Sequence, residues 1–328
     1  MGQVHQFPRA ATGDTFVAGA GRFIAEHTGT AWSDGTTVKY RQTLDALAGR
    51  LGPGFVLAEL DTPAGAERLR IAFDERFARL APATRARHLA ALRSAIGWWR
   101  VTGRLASDPT LGWARPKVTV DTTRALTVEQ VDALFRLDVP VRERTLWRML
   151  YETAARANEI LLLDVGDCDR PSNRARVTGK GGDVGWVHWQ TGTARLLPHL
   201  LAGRTRGPLF LADRLPTRAT PTGDLCPDTG RARLSYRRAA ELFDQHTVAL
   251  AHPDIAPADL GGLSGWDLHQ LRHSALTHDA ESGTSTPLLL ARSRHASVRS
   301  LERYARPGPE AVARHVAGRD PAARRRST

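Results

Sequence analysis

The chain has 328 residues, with 46 Lys plus Arg against 34 Asp plus Glu, a net charge of +12 and a pI near 10.9. That length accommodates two domains with cores of their own, and a hydrophobic content of 41% argues against wholesale disorder. No apolar run reaches membrane-spanning length, the start MGQVHQFPRA has no secretory signal core, and two cysteines, Cys168 and Cys226, make no disulfide scaffold. The expectation is a cytoplasmic protein with a polyanion partner, nucleic acid first among them. Only three basic residues are Lys (Lys39, Lys117 and Lys180), and the other 43 are Arg. Arg suits phosphate because its planar fork donates two parallel hydrogen bonds.

Residues 1–15 carry no periodic pattern and read as a flexible start. Tyr40, Leu44, Leu47 and Leu51 recur at helical spacing and predict a first helix, ended by Gly52-Pro53-Gly54. A second is predicted over 64–80, with Leu69, Phe73, Phe77 and Leu80 on one side. A third covers 83–102, with Leu89, Leu92, Ile96 and Trp99 inward and Arg85, Arg87, His88 and Arg93 on the opposite face. Residues 108–124 hold helix-breaking Pro and Gly and read as a linker.

Thr127 and Gln130 form a capping box that starts a helix through about 136. Another follows over 141–155 and a short one over 158–163. Residues 174–177 and 186–189 read as strands around a glycine-rich turn that carries Lys180. Helices are predicted over 191–201, 231–246, 267–281, 286–292 and 298–304. Residues 204–230 read as a loop. The fold class is mainly α with a small β-hairpin or sheet.

Several side chains in the second half stand out. His269 and Arg272 lie at i and i+3, placed to grip one oxyanion together. His269 and His273 at i and i+4 also match a zinc-binding helix, but Gln270 occupies the position where a catalytic Glu would be needed. Arg156 follows an apolar helix and needs a partner, which Glu159 supplies three residues on. Lys180 tips the hairpin. Tyr304 follows His295 by nine residues and sits among Arg299, Arg303 and Arg306, cations that favour a phenolate. Each has a structural alternative: a salt bridge, a solvated turn Lys, a Tyr closing the last helix. Together they suit phosphoryl transfer from a diester. Arginines and histidines neutralise the phosphate oxygens, Tyr attacks, and Lys protonates the leaving oxygen, which Arg holds its proton too tightly to do.

At these residues the chain resembles the tyrosine recombinase (phage integrase) family. "AARANEILLLDVGD" is similar to its first-Arg box, with Arg156 and Glu159. "VTGKGGDVGWVHW" is similar to its lysine hairpin, "LHQLRHSALTH" to its second box with His269 and Arg272, and "SRHASVRSLERYAR" to its last box with His295 and the nucleophile Tyr304. The last box usually carries an apolar residue and Gly before its His; here Ser293 and Arg294 stand there. The resemblance covers about residues 16–306.

It implies a minimal two-domain recombinase: a helical, SAM-like core-binding domain over 16–107, the linker 108–124, a mixed α/β catalytic domain over 125–306, and a C-terminal segment over 307–328. Residues 309–317 would be donated to a neighbouring protomer. It also implies a site-specific recombinase acting on double-stranded DNA through a 3′-phosphotyrosyl intermediate, with no cofactor, metal or ATP. The protein would be a homotetramer in the synaptic complex, a monomer off DNA, and nucleoid-associated when bound. Arg85, Arg87, His88, Arg93, Arg299 and Arg303 are the candidate DNA contacts. The family's roles span phage integration, transposition of mobile elements and chromosome-dimer resolution. The alternatives are a type IB topoisomerase-like nicking-closing enzyme and a non-catalytic DNA-binding relative.

Overall fold

Phe16, Ala20, Phe23 and Ile24, at i, i+4, i+7 and i+8, share the buried face of a helix additional to the predicted ones, α1 (Phe16–His27). It shares one apolar core with α2 (Asp34–Leu51), α3 (Pro63–Phe77) and α4 (Pro82–Val101), so the described residues of this unit hold four α-helices where three are predicted. Gly19 obscures the pattern but is needed: a Cβ there would lie 3.0 Å from Leu57 Cδ2 and 3.3 Å from Trp99 Nε1. Trp99 is fully buried and donates from Nε1 to Gly19 O at 3.1 Å. Thr15 caps α1 and Thr62 caps α3, each accepting a backbone N–H through its hydroxyl.

The computed structural model describes residues 13–30, 32–117, 125–179, 182–294, 301, 313, 316 and 317. Contacts divide the chain into two units, Met1–Thr119 and Val120–Thr328, each with its own apolar core. The start of the predicted linker, 108–113, is anchored to α4. Thr110 is buried, and Arg93 donates to Thr110 O and, at 2.7 Å, to Trp113 O.

The second unit opens at Leu126, whose N–H donates to Ser274 Oγ at 2.8 Å and whose carbonyl lies 2.9 Å from His278 Nε2. The Thr127–Gln130 capping box forms as predicted and starts α5 (Val128–Arg136). Helix α6 (Val141–Thr153) crosses the core and is followed by α7 (Ala157–Leu161). A three-stranded antiparallel sheet comes next: β1 (Cys168–Asp169), β2 (Arg174–Thr178) and β3 (Val184–His188). Arg176 pairs with Trp186 and Thr178 with Val184, so the predicted hairpin is present and β1 is an addition to it. Ala175, Val177 and Val187 turn into the core.

Helix α8 (Thr191–Leu201) lacks a side-chain cap of its own. Buried Glu152 from α6 serves instead, its Oε2 accepting from Gln190 N at 2.9 Å and Thr193 N at 3.1 Å, a carboxylate at the positive end of a helix. The helix predicted over 231–246 is displaced to α9 (Tyr236–Ala251). Residues 232 and 233 are drawn into bridges with Leu225 and Leu211, and Arg233 binds Asp164, Asp224 and the carbonyls of Leu161 and Leu163. Residues 204–230 form the predicted loop, anchored to the unit where Leu209, Phe210 and Cys226 are buried. Helices α10 (Leu268–Glu281) and α11 (Thr286–Ser293) complete the described part. The helix predicted over 298–304 lies outside the described residues.

Candidate active site

Helix α6 ends on Ala154, a fully buried residue in the left-handed conformation (φ 51°). A non-glycine residue there costs of order 1 kcal/mol, so the surrounding packing must hold it. The reversal delivers Arg156 to the start of α7. Glu159 completes a reciprocal cap: its Oε2 accepts from Arg156 N at 2.8 Å, and its Oε1 accepts from Arg156 Nη1 at 3.0 Å. Glu159 is buried while the Arg156 side chain is 43% exposed. The pairing expected from spacing is present, and it fixes one edge of a guanidinium that still faces outward.

Asp267 and Gln270 cap α10 reciprocally and set its first turn. His269 lies exposed on that turn, with its ring 5.9 Å from the ring of His273. Arg272, one turn on, is 1% exposed. Its Nη1 donates to Ala154 O and its Nη2 to Ser293 O, both at 2.6 Å. These are charge-assisted bonds to backbone carbonyls of two other segments. One guanidinium therefore joins the residue two before Arg156 to the residue two before His295. Three stretches far apart in the chain, around 154–159, 269–272 and 293–294, converge on it.

Sequence reasoning missed a further arginine at this place. Arg294 closes α11 in the left-handed conformation (φ 51°), and its Nη2 pairs with Glu159 Oε2. Its stem crosses β3 where the chain is bare: a Cβ on Gly185 would lie 3.0 Å from Arg294 Cδ. Burial pushes the Arg294 guanidinium below the ordinary arginine range and neighbouring Glu159 opposes the shift. The available signal was the departure of Ser293-Arg294 from the family's last box.

Lys180, His295, Arg299, Arg303 and Tyr304 lie outside the described residues. The flanks of the Lys180 turn are described: Gly179 N donates to Asp183 O at 2.7 Å. Among the described residues no group of three His, Cys, Asp or Glu is placed to hold a metal ion, and no helix is long and apolar enough to cross a membrane. Burial pushes the Cys168 thiol up to about 12, which removes it as a nucleophile near neutral pH.

In the first unit only Arg87 of the four candidate contacts lies on the exposed face of α4. Arg85 flanks the apolar stripe and pairs with Asp74 at 2.6 Å, and Arg93 turns inward as described. His88 stacks on Phe77 with ring centres 4.2 Å apart, and its Nδ1 lies 2.8 Å from Thr43 Oγ1. The expected basic face is corrected accordingly. Positions 85, 88 and 93 fall within about 80° of the centre of the buried stripe at 100° per residue, and all three side chains are half-buried with partners inside the unit.

Residues 124–310 match the model of the Phage integrase family. The chain belongs to that family. By family it is a tyrosine site-specific recombinase, with the mainly helical fold expected of one. Tyrosine recombinase XerD of Mycobacterium leprae (strain TN) is 33% identical over 229 residues, covering 67% of this chain and 66% of that protein. Tyrosine recombinase XerC of Erythrobacter litoralis (strain HTCC2594) is 28% identical over 278 residues, or 82% and 80% of the two chains. The match to XerC of Roseiflexus castenholzii (strain DSM 13941 / HLO8) is shorter, 36% identical over 122 residues, and spans 39% of that protein. Among solved structures, the Tn1549 transposon integrase in complex with circular intermediate DNA gives a TM-score of 0.65 at 14% identity, covering 92% of this chain and 99% of that one. A lambda integrase dimer bound to a COC' core site gives 0.65 at 14% identity, covering 88% and 94%. At such identities the likeness is one of fold.

Proposed function

We propose that this recombinase cleaves and rejoins double-stranded DNA at a specific site through a 3′-phosphotyrosyl intermediate on Tyr304, needing neither metal nor ATP. The observation that carries the reading is Arg272, bonded at once to Ala154 and Ser293. It draws the Arg156 junction and the approach to His295 to one point, as a phosphate-binding centre requires. The relatives named XerC and XerD, and the two integrases solved with DNA, support a DNA substrate.

In this mechanism the Tyr304 oxygen attacks the scissile phosphorus and the bond to the 5′ oxygen breaks. Lys180 protonates that oxygen as it leaves. Arg156, Arg272, His269 and His295 bind the non-bridging oxygens and hold the charge that builds on them; one such donor is commonly worth about 3 kcal/mol. The phosphotyrosine conserves the bond energy, so a 5′-hydroxyl from a second strand can reseal the backbone without a nucleotide cofactor. Residues 16–107 act as the core-binding domain and 125–306 as the catalytic domain. The working assembly is a homotetramer on two synapsed sites, in which residues 309–317 dock on a neighbour. The protein is monomeric off DNA, cytoplasmic, and nucleoid-associated when bound.

Tyr304→Phe tests the reading. On a suicide substrate the wild type should trap a covalent DNA adduct, and the variant should bind DNA equally well and trap none. An adduct surviving in the variant would overturn the assignment. Relaxation of a plasmid lacking any cognate site would mark a type IB nicking-closing enzyme instead.

A further inference from the structure

Glu159 is shared between two arginines, and the two do different things to it. Its Oε1 faces Arg156 Nη1, while its Oε2 takes both Arg156 N and Arg294 Nη2. A carboxylate beside a single guanidinium tends to swing into a bidentate fork, which would occupy both outer nitrogens of Arg156. Here Oε2 is held by two other donors, so only one edge of Arg156 is engaged.

Arg294 itself is held in place. Its side chain is 17% exposed, its stem rests on β3 at Gly185, and its backbone occupies a left-handed well that Gly would adopt without strain. A side chain kept at such a position has a use that outweighs the backbone cost.

We propose that Arg294 is a positioning residue: by holding Oε2 of Glu159 and packing on β3, it keeps one face of Arg156 open for phosphate and ties that arginine to the hairpin bearing Lys180. The inference rests on the recombinase reading for its kinetic consequence and on geometry alone for its structural one. Arg294 acts through Glu159 and does not itself contact the DNA.

Arg294→Gly removes the guanidinium and relieves the backbone, so the fold should be kept. With full-length protein at saturating DNA, formation of the Tyr304 adduct should slow roughly ten- to hundredfold, as expected when a reacting group is misplaced by a fraction of an ångström to an ångström. The DNA dissociation constant and its salt dependence should be unchanged. Arg294→Lys should restore part of the rate. Adding Glu159→Gln to Arg294→Gly should cost less than the product of the two single effects. An unchanged rate, or fully multiplicative effects, would overturn the proposal. So would weaker binding with a shallower salt slope, the mark of a direct phosphate contact. A crystal structure of Arg294→Gly reads the geometry without activity. Glu159 turned bidentate onto Arg156 supports the proposal, and an unmoved Glu159 refutes it. A wild type that forms no adduct counts against the recombinase reading, and the crystallographic result still decides the role of Arg294.

Discussion

Arg272 Nη1 lies 2.6 Å from the carbonyl oxygen of Ala154, so the second arginine of the site is anchored to the backbone two residues before the first. The same guanidinium reaches Ser293 O at 2.6 Å. Charge and scaffold are here the same group. Arg272→Ala leaves two carbonyls without these donors and should lower stability by ~2–6 kcal/mol, at ~1–3 kcal/mol for each buried acceptor that loses its donor. Arg272→Lys keeps the charge but cannot bridge both carbonyls, and should fall between the two without recovering activity. Calorimetric melting and adduct assays on the same samples check this. Wild-type melting in both variants would remove the structural role.

Lys180 as general acid makes a separable prediction. Lys180→Ala should slow cleavage far more than it weakens binding. A substrate with a 5′-bridging phosphorothiolate, whose leaving group needs no proton, should recover most of the lost rate. Equal slowing on both substrates would place the proton donor elsewhere.

His88 gives the first unit a pH dependence. Burial, then the nearby charges of Arg87 and Arg76, hold its pKa below the ordinary value of 6.5. The unfolded chain therefore takes up a proton before the folded one does. Stability associated with neutral His88 is fully present above about pH 6.5 and is lost as pH falls from there toward the depressed folded value. Denaturant midpoints at pH 7.5 and 5 should differ more for the wild type than for His88→Gln. Identical pH dependence in the two would exclude His88 as the source.

Gly19 and Gly21 sit on the same helix and should respond in opposite directions. A methyl at 19 meets Leu57 and Trp99, while nothing lies within 4 Å of one at 21. Gly19→Ala should destabilise by ~1–2 kcal/mol, overpacking outweighing helix propensity. Gly21→Ala should stabilise by ~0.5–1 kcal/mol. Thermal melts of the two variants decide it.

What could be read from the sequence follows the range of the interactions involved. The Thr127 capping box, the Arg156–Glu159 pair and the β2–β3 hairpin are made by residues within fourteen positions of one another, and their spacing shows in the sequence. In helix α1 the apolar spacing is local, but the glycine at 19 is dictated by Trp99, eighty positions away. The start of α9 was misplaced because Arg233 answers to Asp164 and to the carbonyls of Leu161 and Leu163, contacts that local periodicity does not contain. Basic residues are expected outward, which puts Arg85, Arg87, His88 and Arg93 on one face, yet Arg85, His88 and Arg93 each have a partner within the unit. Arg294 was visible only as a departure from a pattern, and its partnership with Glu159 spans 135 positions.

Several arginines in the described residues spend their donors on the chain itself. Arg93 holds Trp113 O, Arg204 the carbonyls of Pro208 and Leu209, Arg233 those of Leu161 and Leu163, and Arg272 those of Ala154 and Ser293. A guanidinium spans two carbonyls because its donors are fixed in a plane, and an ammonium has no such geometry. Net charge and architecture are therefore separable quantities in this protein. Recoding these arginines as lysines would leave the formal charge of +12 untouched and unfasten the loops they hold.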